Sequence, residues 1–302
     1  MKPFRMHHGK LTALVLTLAT LGGAHAQESA WQPFASITPL YQGTADLDGG
    51  GDFNAWGTLL RVGFFGSLGN GNRAGLTLNY DYTDYSFSDP LAFAGAAPWQ
   101  TVQRFGVAIP LSFGIDPAWS VGFAPSVDWF RENGADTGEA FTWGGILSAT
   151  RRFEGGNRIG LGIGAYDRIE DSSFFPVLLI DWRINDRWRL TNPLTAGPTG
   201  PAGLELDYRL DDSWNFGLGA AWRSTRFRLS ETGAVPNGIG EERGVPVFLR
   251  ATHAFDERTS LNLYAGIVTG GQLRLEDATG GDLVEDDFDP APLFGATFNA
   301  RF

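Results

Sequence analysis

Cysteine is absent from all 302 residues. That removes a disulfide framework, thiolate chemistry and any lipid-attachment cysteine. Histidine is almost as scarce. Of the four present, His7, His8 and His25 crowd the N-terminus, which leaves His253 for the rest of the chain. A hydrolase triad needs a histidine beside a serine, and a transition-metal site needs several nitrogen or sulfur ligands, so both chemistries are poorly supplied. Basic side chains are few as well, 23 against 34 acidic ones, a formal charge of −11. That balance argues against nucleic acid as a partner. Finally, beyond residue 26 no run of ~18 apolar residues occurs, so no transmembrane helix is available there.

The first 26 residues are different in kind. Lys2, Arg5 and Lys10 precede the apolar run Leu11 to Leu21, and Ala24-His25-Ala26 follows it. This is the layout of a secretory signal peptide with an Ala-x-Ala cleavage site, and the apolar run is well short of the ~20 residues a spanning helix needs. Residues 1–26 are therefore expected to be a cleaved signal and 27–302 a single exported domain.

What the chain does have is aromatic residues and glycine: 10 Trp, 7 Tyr, 23 Phe and 41 Gly, at a mean hydropathy of −0.12. Aromatic enrichment at ordinary hydropathy is what strands with one apolar and one polar face produce. Leu76, Leu78, Tyr80 and Tyr82 alternate with Thr77, Asn79, Asp81 and Thr83. Trp214, Phe216, Leu218, Ala220 and Trp222 alternate with Asn215, Gly217, Gly219, Ala221 and Arg223. Similar stretches recur at 121–129, 159–166 and 203–210, and helical period is absent after the leader. The expected fold class is all-β.

The connections sharpen this to one architecture. Short segments rich in Asp, Asn and Gly stand at 69–72, 116–119, 154–157, 185–188, 211–214 and 256–259, as tight antiparallel turns require. Longer, mostly acidic segments stand at 45–52, 88–98, 133–139, 231–243 and 276–289, joined by a tight one near Asp171 to Ser173 and the proline-rich 192–201. The two kinds alternate strictly. A soluble sandwich has no reason for that sidedness, whereas an outer-membrane barrel has short periplasmic turns and long external loops. Six short and seven long connections predict an antiparallel transmembrane β-barrel of fourteen strands with both termini on the periplasmic side. The weak strand is Trp188 to Asn192, because Pro193, Pro198 and Pro201 cannot donate to a ladder. Twelve strands, with 188–201 as one elaborate loop, is the alternative.

The chain ends on "PLFGATFNARF", with Phe294, Ala296, Phe298, Ala300 and Phe302 on one parity and Thr297, Asn299 and Arg301 on the other. This stretch resembles the closing strand of Gram-negative outer-membrane β-barrels, and the style of the whole mature chain is similar to uncharacterised proteobacterial barrels of that class. The resemblance implies localisation in the bacterial outer membrane, contact with its lipid and lipopolysaccharide, and a terminal aromatic strand (Phe294, Phe298, Phe302) read by the barrel-assembly machinery. No porin constriction motif and no lipase or acyltransferase signature accompanies it.

Parity nominates the lumen. Arg61, Arg104, Arg183, Arg209, Arg223, Arg250 and Arg301 fall on the polar face, with Asp81, Asp128, Asp181, Glu205 and Asp207. A charge facing hydrocarbon at mid-depth costs ~2–4 kcal/mol, which assigns most of these inward. Arg226 and Arg228 instead share the outward parity of Trp222 near an external rim, where they could meet lipopolysaccharide phosphates or simply be solvated. His253 falls on the lipid side with Ala251 and Phe255. "GLGIGA" at 160–165 and "GLGAAW" at 217–222 look like dinucleotide fingerprints but lack the helix that would cradle phosphate. "DLDGGGDFN" loosely resembles a calcium loop through Asp46, Asp48 and Asp52, yet Gly57 stands where the closing carboxylate belongs. No cofactor or metal is expected.

The expectation is a non-enzymatic barrel giving passive or mildly selective passage to small polar or anionic solutes along an arginine-lined lumen. One alternative is a closed structural or surface-interaction barrel whose lumen charges satisfy one another. A lipid hydrolase or acyltransferase is the least supported class.

Overall fold

A computed structural model describes residues 31–302; the signal peptide expected at 1–26 lies outside the described residues. The chain forms sixteen strand segments: β1 (Trp31–Asp46), β2 (Asp52–Gly69), β3 (Asn72–Ser88), β4 (Thr101–Ala108), β5 (Leu111–Gly114), β6 (Trp119–Glu132), β7 (Phe141–Arg152), β8 (Arg158–Arg168), β9 (Asp171–Arg183), β10 (Trp188–Thr191), β11 (Ala202–Arg209), β12 (Trp214–Arg228), β13 (Ile239–Ala254), β14 (Thr259–Glu276), β15 (Asp282–Phe288) and β16 (Ala291–Arg301). Successive strands pair antiparallel, except that β4 and β5 both pair with β3 and β6 and that β15 and β16 both pair with β14; β1 pairs with β16 from Phe34↔Arg301 to Gln42↔Leu293. The sheet therefore closes on itself and leaves no edge where the chain begins and ends.

Two pairs of segments are single strands interrupted by proline. β4 and β5 both lie between β3 and β6 and are divided at Ile109-Pro110. β15 and β16 both pair with β14 and are divided at Asp289-Pro290. Proline has no N–H to give a ladder, so it breaks pairing without ending the strand's course. Merging each pair gives a fourteen-strand barrel. The twelve-strand alternative does not hold, because β10 is short but fully paired, with β9 through three residues and with β11 through four.

All six short turns occur where expected. Three longer connections differ at their bounds. Asp171 to Ser173 belong to β9, Ile239 to Arg243 to β13 and Asp282 to Phe288 to β15. In the last two cases acidic sequence looks like loop, yet it continues the sheet beyond the belt.

The outward parity carries a two-rimmed aromatic belt. Trp119, Trp188, Trp214 and Phe302 mark the turn side, Tyr41, Trp56, Trp143 and Trp222 the loop side, and exposed Val62, Leu161, Leu218, Leu249 and Leu263 lie between them. On β12 the eight-residue step from Trp214 to Trp222 is ~26 Å along the strand, or ~20 Å of depth at a tilt of ~40°. Hydrocarbon is the solvent that makes such a surface favourable.

Above the belt the barrel folds over itself. β13 is bulged between Arg243 and Val245 where it meets β14, and Gly270 of β14 takes φ 57°. A β-carbon on the next residue, Gly271, would lie inside the Phe288 ring. Bulges of this kind bend strands sharply. The upper ends of β12 to β15 thus lean across the mouth until Arg228 bridges to Arg131 of β6 in parallel sense. Their inner face forms an apolar core with the opposite wall: Phe227, Leu273, Leu275 and Phe288 pack against Phe53, Tyr85 and Trp99. Trp99 is 1% exposed and meets the Phe227 ring edge-on at 5.2 Å.

Candidate functional site

The lumen below this flap is built from inward side chains of the wall. Arg61 pairs with Asp81, and Arg104 bridges Asp81 at 3.2 Å and Asp128 at 2.7 Å. Across the lumen, Arg250 Nε donates to Glu205 at 2.6 Å while its Nη2 reaches Asp207. Thr252 and Asn262 extend that cluster toward β14. Glycine makes the room, since a β-carbon at Gly217 would overlap the Glu205 carboxylate and one at Gly106 would overlap that of Asp128. Higher up, Arg223 donates to Gln42 at 2.7 Å and to Glu242 at 2.8 Å, and the Tyr85 hydroxyl donates to Glu242.

Of the sequence-nominated residues, Arg61, Arg104, Arg223, Arg250, Asp81, Asp128, Asp181, Glu205 and Asp207 face inward, and all nine are engaged in ion pairs. Arg183, Arg209 and Arg301 share the inward parity but are exposed at the turn-side mouth, with no carboxylate within 4 Å among the described residues. They are rim charges, not part of a central lining. Arg189, Gln42, Glu242 and Asn262 were not nominated. Arg189 carried the clearest signal, because its parity on the weak strand places it beside Asp181 (2.7 Å).

Arg226 and Arg228 correct an expectation. Their side chains are only 4% and 3% exposed, so neither is available to lipopolysaccharide. The strand leaves the membrane wall before reaching them, and its outward parity turns to face the opposite rim. Arg226 holds Glu276 through two 2.6 Å bonds and donates to the Ile169 carbonyl at 2.8 Å. Arg228 donates to the carbonyls of Glu139, Asn237 and Ala278 and to the Glu170 carboxylate. Two adjacent outward positions thereby fasten the flap to loops from three sides.

A second obstruction is the proline-rich segment 192–201. β10 and β11 are short, so this segment leaves the wall within the belt and turns inward. Pro193, Gly197, Pro198 and Thr199 are buried. The Thr38 hydroxyl of β1 donates to the Ala196 carbonyl at 2.7 Å and sits 2.8 Å from Thr297 of β16. Gly197 lies against Tyr264, and Pro198 against Gly295. The segment therefore crosses from β10–β11 to the far wall. Flap above, insert at mid-depth and ion pairs around it all occupy the lumen in this conformation.

His253 stands on the outer face, its ring 4.6 Å from that of Trp214 and 4.8 Å from that of Phe255. Among the described residues no group of three or more His, Asp or Glu is placed to hold a metal ion. In the acidic upper hairpin, burial pushes the Asp286 carboxyl up from its ordinary range, opposed by the hydrogen bond from the Gly49 amide and reinforced by Asp48 and Asp287.

A closed ladder, an apolar aromatic-rimmed belt and a polar interior together define a transmembrane β-barrel. No protein-family model matches the chain, and no curated protein is similar to it. Solved structures that it resembles are outer-membrane barrels. The COG4313 outer membrane channel from Pseudomonas putida F1 is 12% identical, with 90% of this chain and 95% of that one covered and a TM-score of 0.49. The Pseudomonas putida toluene transporter TodX is 10% identical over 90% and 89% (TM-score 0.44). The translocator domain of the autotransporter NalP from Neisseria meningitidis is 12% identical over 91% and 89% (TM-score 0.37).

Proposed function

We propose that the protein is a channel of the bacterial outer membrane that rests closed and conducts when segment 192–201 leaves the lumen. The observation that carries this is the way the insert is held. It has no ladder partner, and its contact with the far wall is the Thr38–Ala196 hydrogen bond together with small-residue and proline packing. A permanent structural plug would be expected to join the wall through many backbone bonds. A fourteen-strand barrel emptied of such a segment is wide enough to hold water.

The pairing of the lumen charges changes the expected selectivity. Arg61, Arg104, Arg223 and Arg250 are each answered by carboxylates, so the opened path carries little net field along its middle. Only Arg183, Arg209 and Arg301 at the turn-side mouth would favour anions, and weakly. The role is passage and not catalysis. Planar-bilayer recording tests it: deleting residues 194–200 is expected to turn rare, brief openings into stable conductance steps. A correctly folded deletion variant that stays silent would leave the closed structural barrel as the better reading.

A further inference from the structure

One arc of the turn-side mouth sets like charges against each other. Arg152 of β7 stands directly opposite Arg158 of β8, and Arg183 of β9 directly opposite Arg189 of β10. Arg209 of β11 continues the row one strand further. Like charges directly opposite on paired strands destabilise a sheet, and here that happens twice within four neighbouring strands. Register places the row on the lumen side. The inward Asp181 is opposite Arg158 in the β8–β9 ladder, and Arg183 and Arg189 share its parity. All five arginines are exposed. The rest of this rim carries Arg73 and Arg301, on β3 and β16, apart from the row.

The protein answers one charge of the five. Arg189 holds Asp181 at 2.7 Å, while Arg152, Arg158, Arg183 and Arg209 have no carboxylate within 4 Å among the described residues. In the adjoining turn the Asp211 carboxylate is taken by the Ser213 and Trp214 amides. The backbone under the row is fixed. Asn157 Oδ1 accepts from the Arg183 amide at 2.9 Å and its Nδ2 donates to the Arg183 carbonyl, which ties the start of β8 to the end of β9. The Arg209 amide donates to the Arg187 carbonyl at 2.8 Å. The far end of β10 is anchored by Asn192, whose amide nitrogen donates to the Leu178 and Gly203 carbonyls at 2.9 Å each. Above Arg158 the next inward positions of β8 are Gly160 and Gly162, which leave that face free of side chains.

We propose that this arc binds a small solute bearing two or more phosphate or carboxylate groups. An arginine fork grips an oxyanion through two parallel bonds. Directly opposed positions lie ~5 Å apart and diagonal ones ~7–8 Å, so two or three guanidinium groups can share one polyvalent anion. A monovalent anion is not retained, because a single exposed ion pair is worth little against solvent and salt. Spread around an open rim such charges steer weakly; gathered on one arc they bind. The acidic stretches at 45–52 and 276–289 crowd the loop side and repel the same molecule, so it approaches from the turn side. The site stands on register and charge; its use in passage, holding the anion at this mouth, rests on the channel reading.

Calorimetric titration of the refolded barrel in phosphatidylcholine nanodiscs, where both mouths meet solvent, tests this with pyrophosphate, citrate and acetate. Saturable binding of pyrophosphate and citrate, and none of acetate, is expected. Arg158→Gln and Arg183→Gln should each weaken pyrophosphate binding roughly tenfold, the loss of one charge-assisted fork. Arg301→Gln, on the same rim but outside the arc, should change it less than about twofold. Equal losses at Arg183 and Arg301, no saturation, or acetate binding as well as pyrophosphate would each mean a diffuse field and overturn the proposal. Nanodiscs containing a low fraction of phosphatidylglycerol separate soluble from lipid phosphate. Pyrophosphate affinity that survives there supports an inward site, whereas its abolition assigns the arc to lipid headgroups and overturns the proposal. Heat-modifiable gel migration confirms that each variant is folded. No conductance enters the readout, so a silent barrel that binds pyrophosphate would sink the channel and keep the site, while a conducting barrel that does not bind it would do the reverse.

Discussion

Replacing Arg250 by alanine measures whether the closed lumen is dry. In the native protein Arg250, Glu205 and Asp207 are 8%, 1% and 9% exposed at their side chains. Removing the guanidinium leaves two carboxylates one pleat repeat apart on the same face of β11, with Thr191 as the main remaining donor to Asp207. Breaking one buried pair costs about 3–5 kcal/mol, against about 0.2–1 kcal/mol for a solvated one. At ~1.4 kcal/mol per tenfold, the dry case lowers the folding equilibrium constant by roughly a hundredfold or more. Urea unfolding of the barrel from phospholipid vesicles reads this directly. A companion variant, Arg250→Met with Glu205→Leu and Asp207→Leu, removes all three charges and is expected to recover most of the loss, because well-packed apolar replacements for buried ion networks are often neutral. A loss below about 1 kcal/mol for Arg250→Ala would mean water already screens the cluster, and the picture of a closed lumen would be wrong.

Two further outcomes follow from the flap. Trp99→Ala empties the centre of the apolar core beneath it and should cost about 3–5 kcal/mol locally, read as faster protease cleavage within 229–238 while the belt stays protected; unchanged cleavage would show that the core does not hold the flap down. Asp286 has a folded-state carboxyl raised mainly by burial, so its contribution is favourable in acid and lost as pH rises through that raised value. Asp286→Asn keeps the acceptor for the Gly49 amide and removes the charge. Its thermal midpoint should therefore exceed the native one at pH 7 and lose that advantage under strongly acid conditions, and a pH-independent difference would refute the assignment.

Strand period and turn chemistry were legible because the belt's two solvents impose them residue by residue. Leu76 to Thr83 sits as its alternation requires, and the turns at 69–72 and 256–259 close hairpins as their Asn, Gly and Asp content implies. The same signal located the inward charges, since polar parity between apolar neighbours has one physical explanation in hydrocarbon. It failed where the solvent changes. At Arg226 and Arg228 the alternation continues unbroken, but the strand has bent over the mouth and its outward parity meets protein. The bend originates in bulges on β13 and β14, at Gly244 and Gly270, which look like ordinary small residues in a strand. The inward path of 192–201 was equally hidden: its prolines forbid a ladder but do not say on which side of the wall the chain then travels.

Asn192 bears more than its own bonds. Its single amide accepts from the Ile180 amide and donates to the Leu178 and Gly203 carbonyls, standing in for the rung that β10 no longer supplies. Mechanically, it is the stop at the end of a zip. A cut in a sheet concentrates load at its tip, and here that tip is one side chain: with it in place the parting of β9 and β11 has a fixed length. Without it, the three ladder residues of β10 against β9 would be next to open, and the stretch of β9 that pairs only with β8 would lengthen toward the turn side one rung at a time.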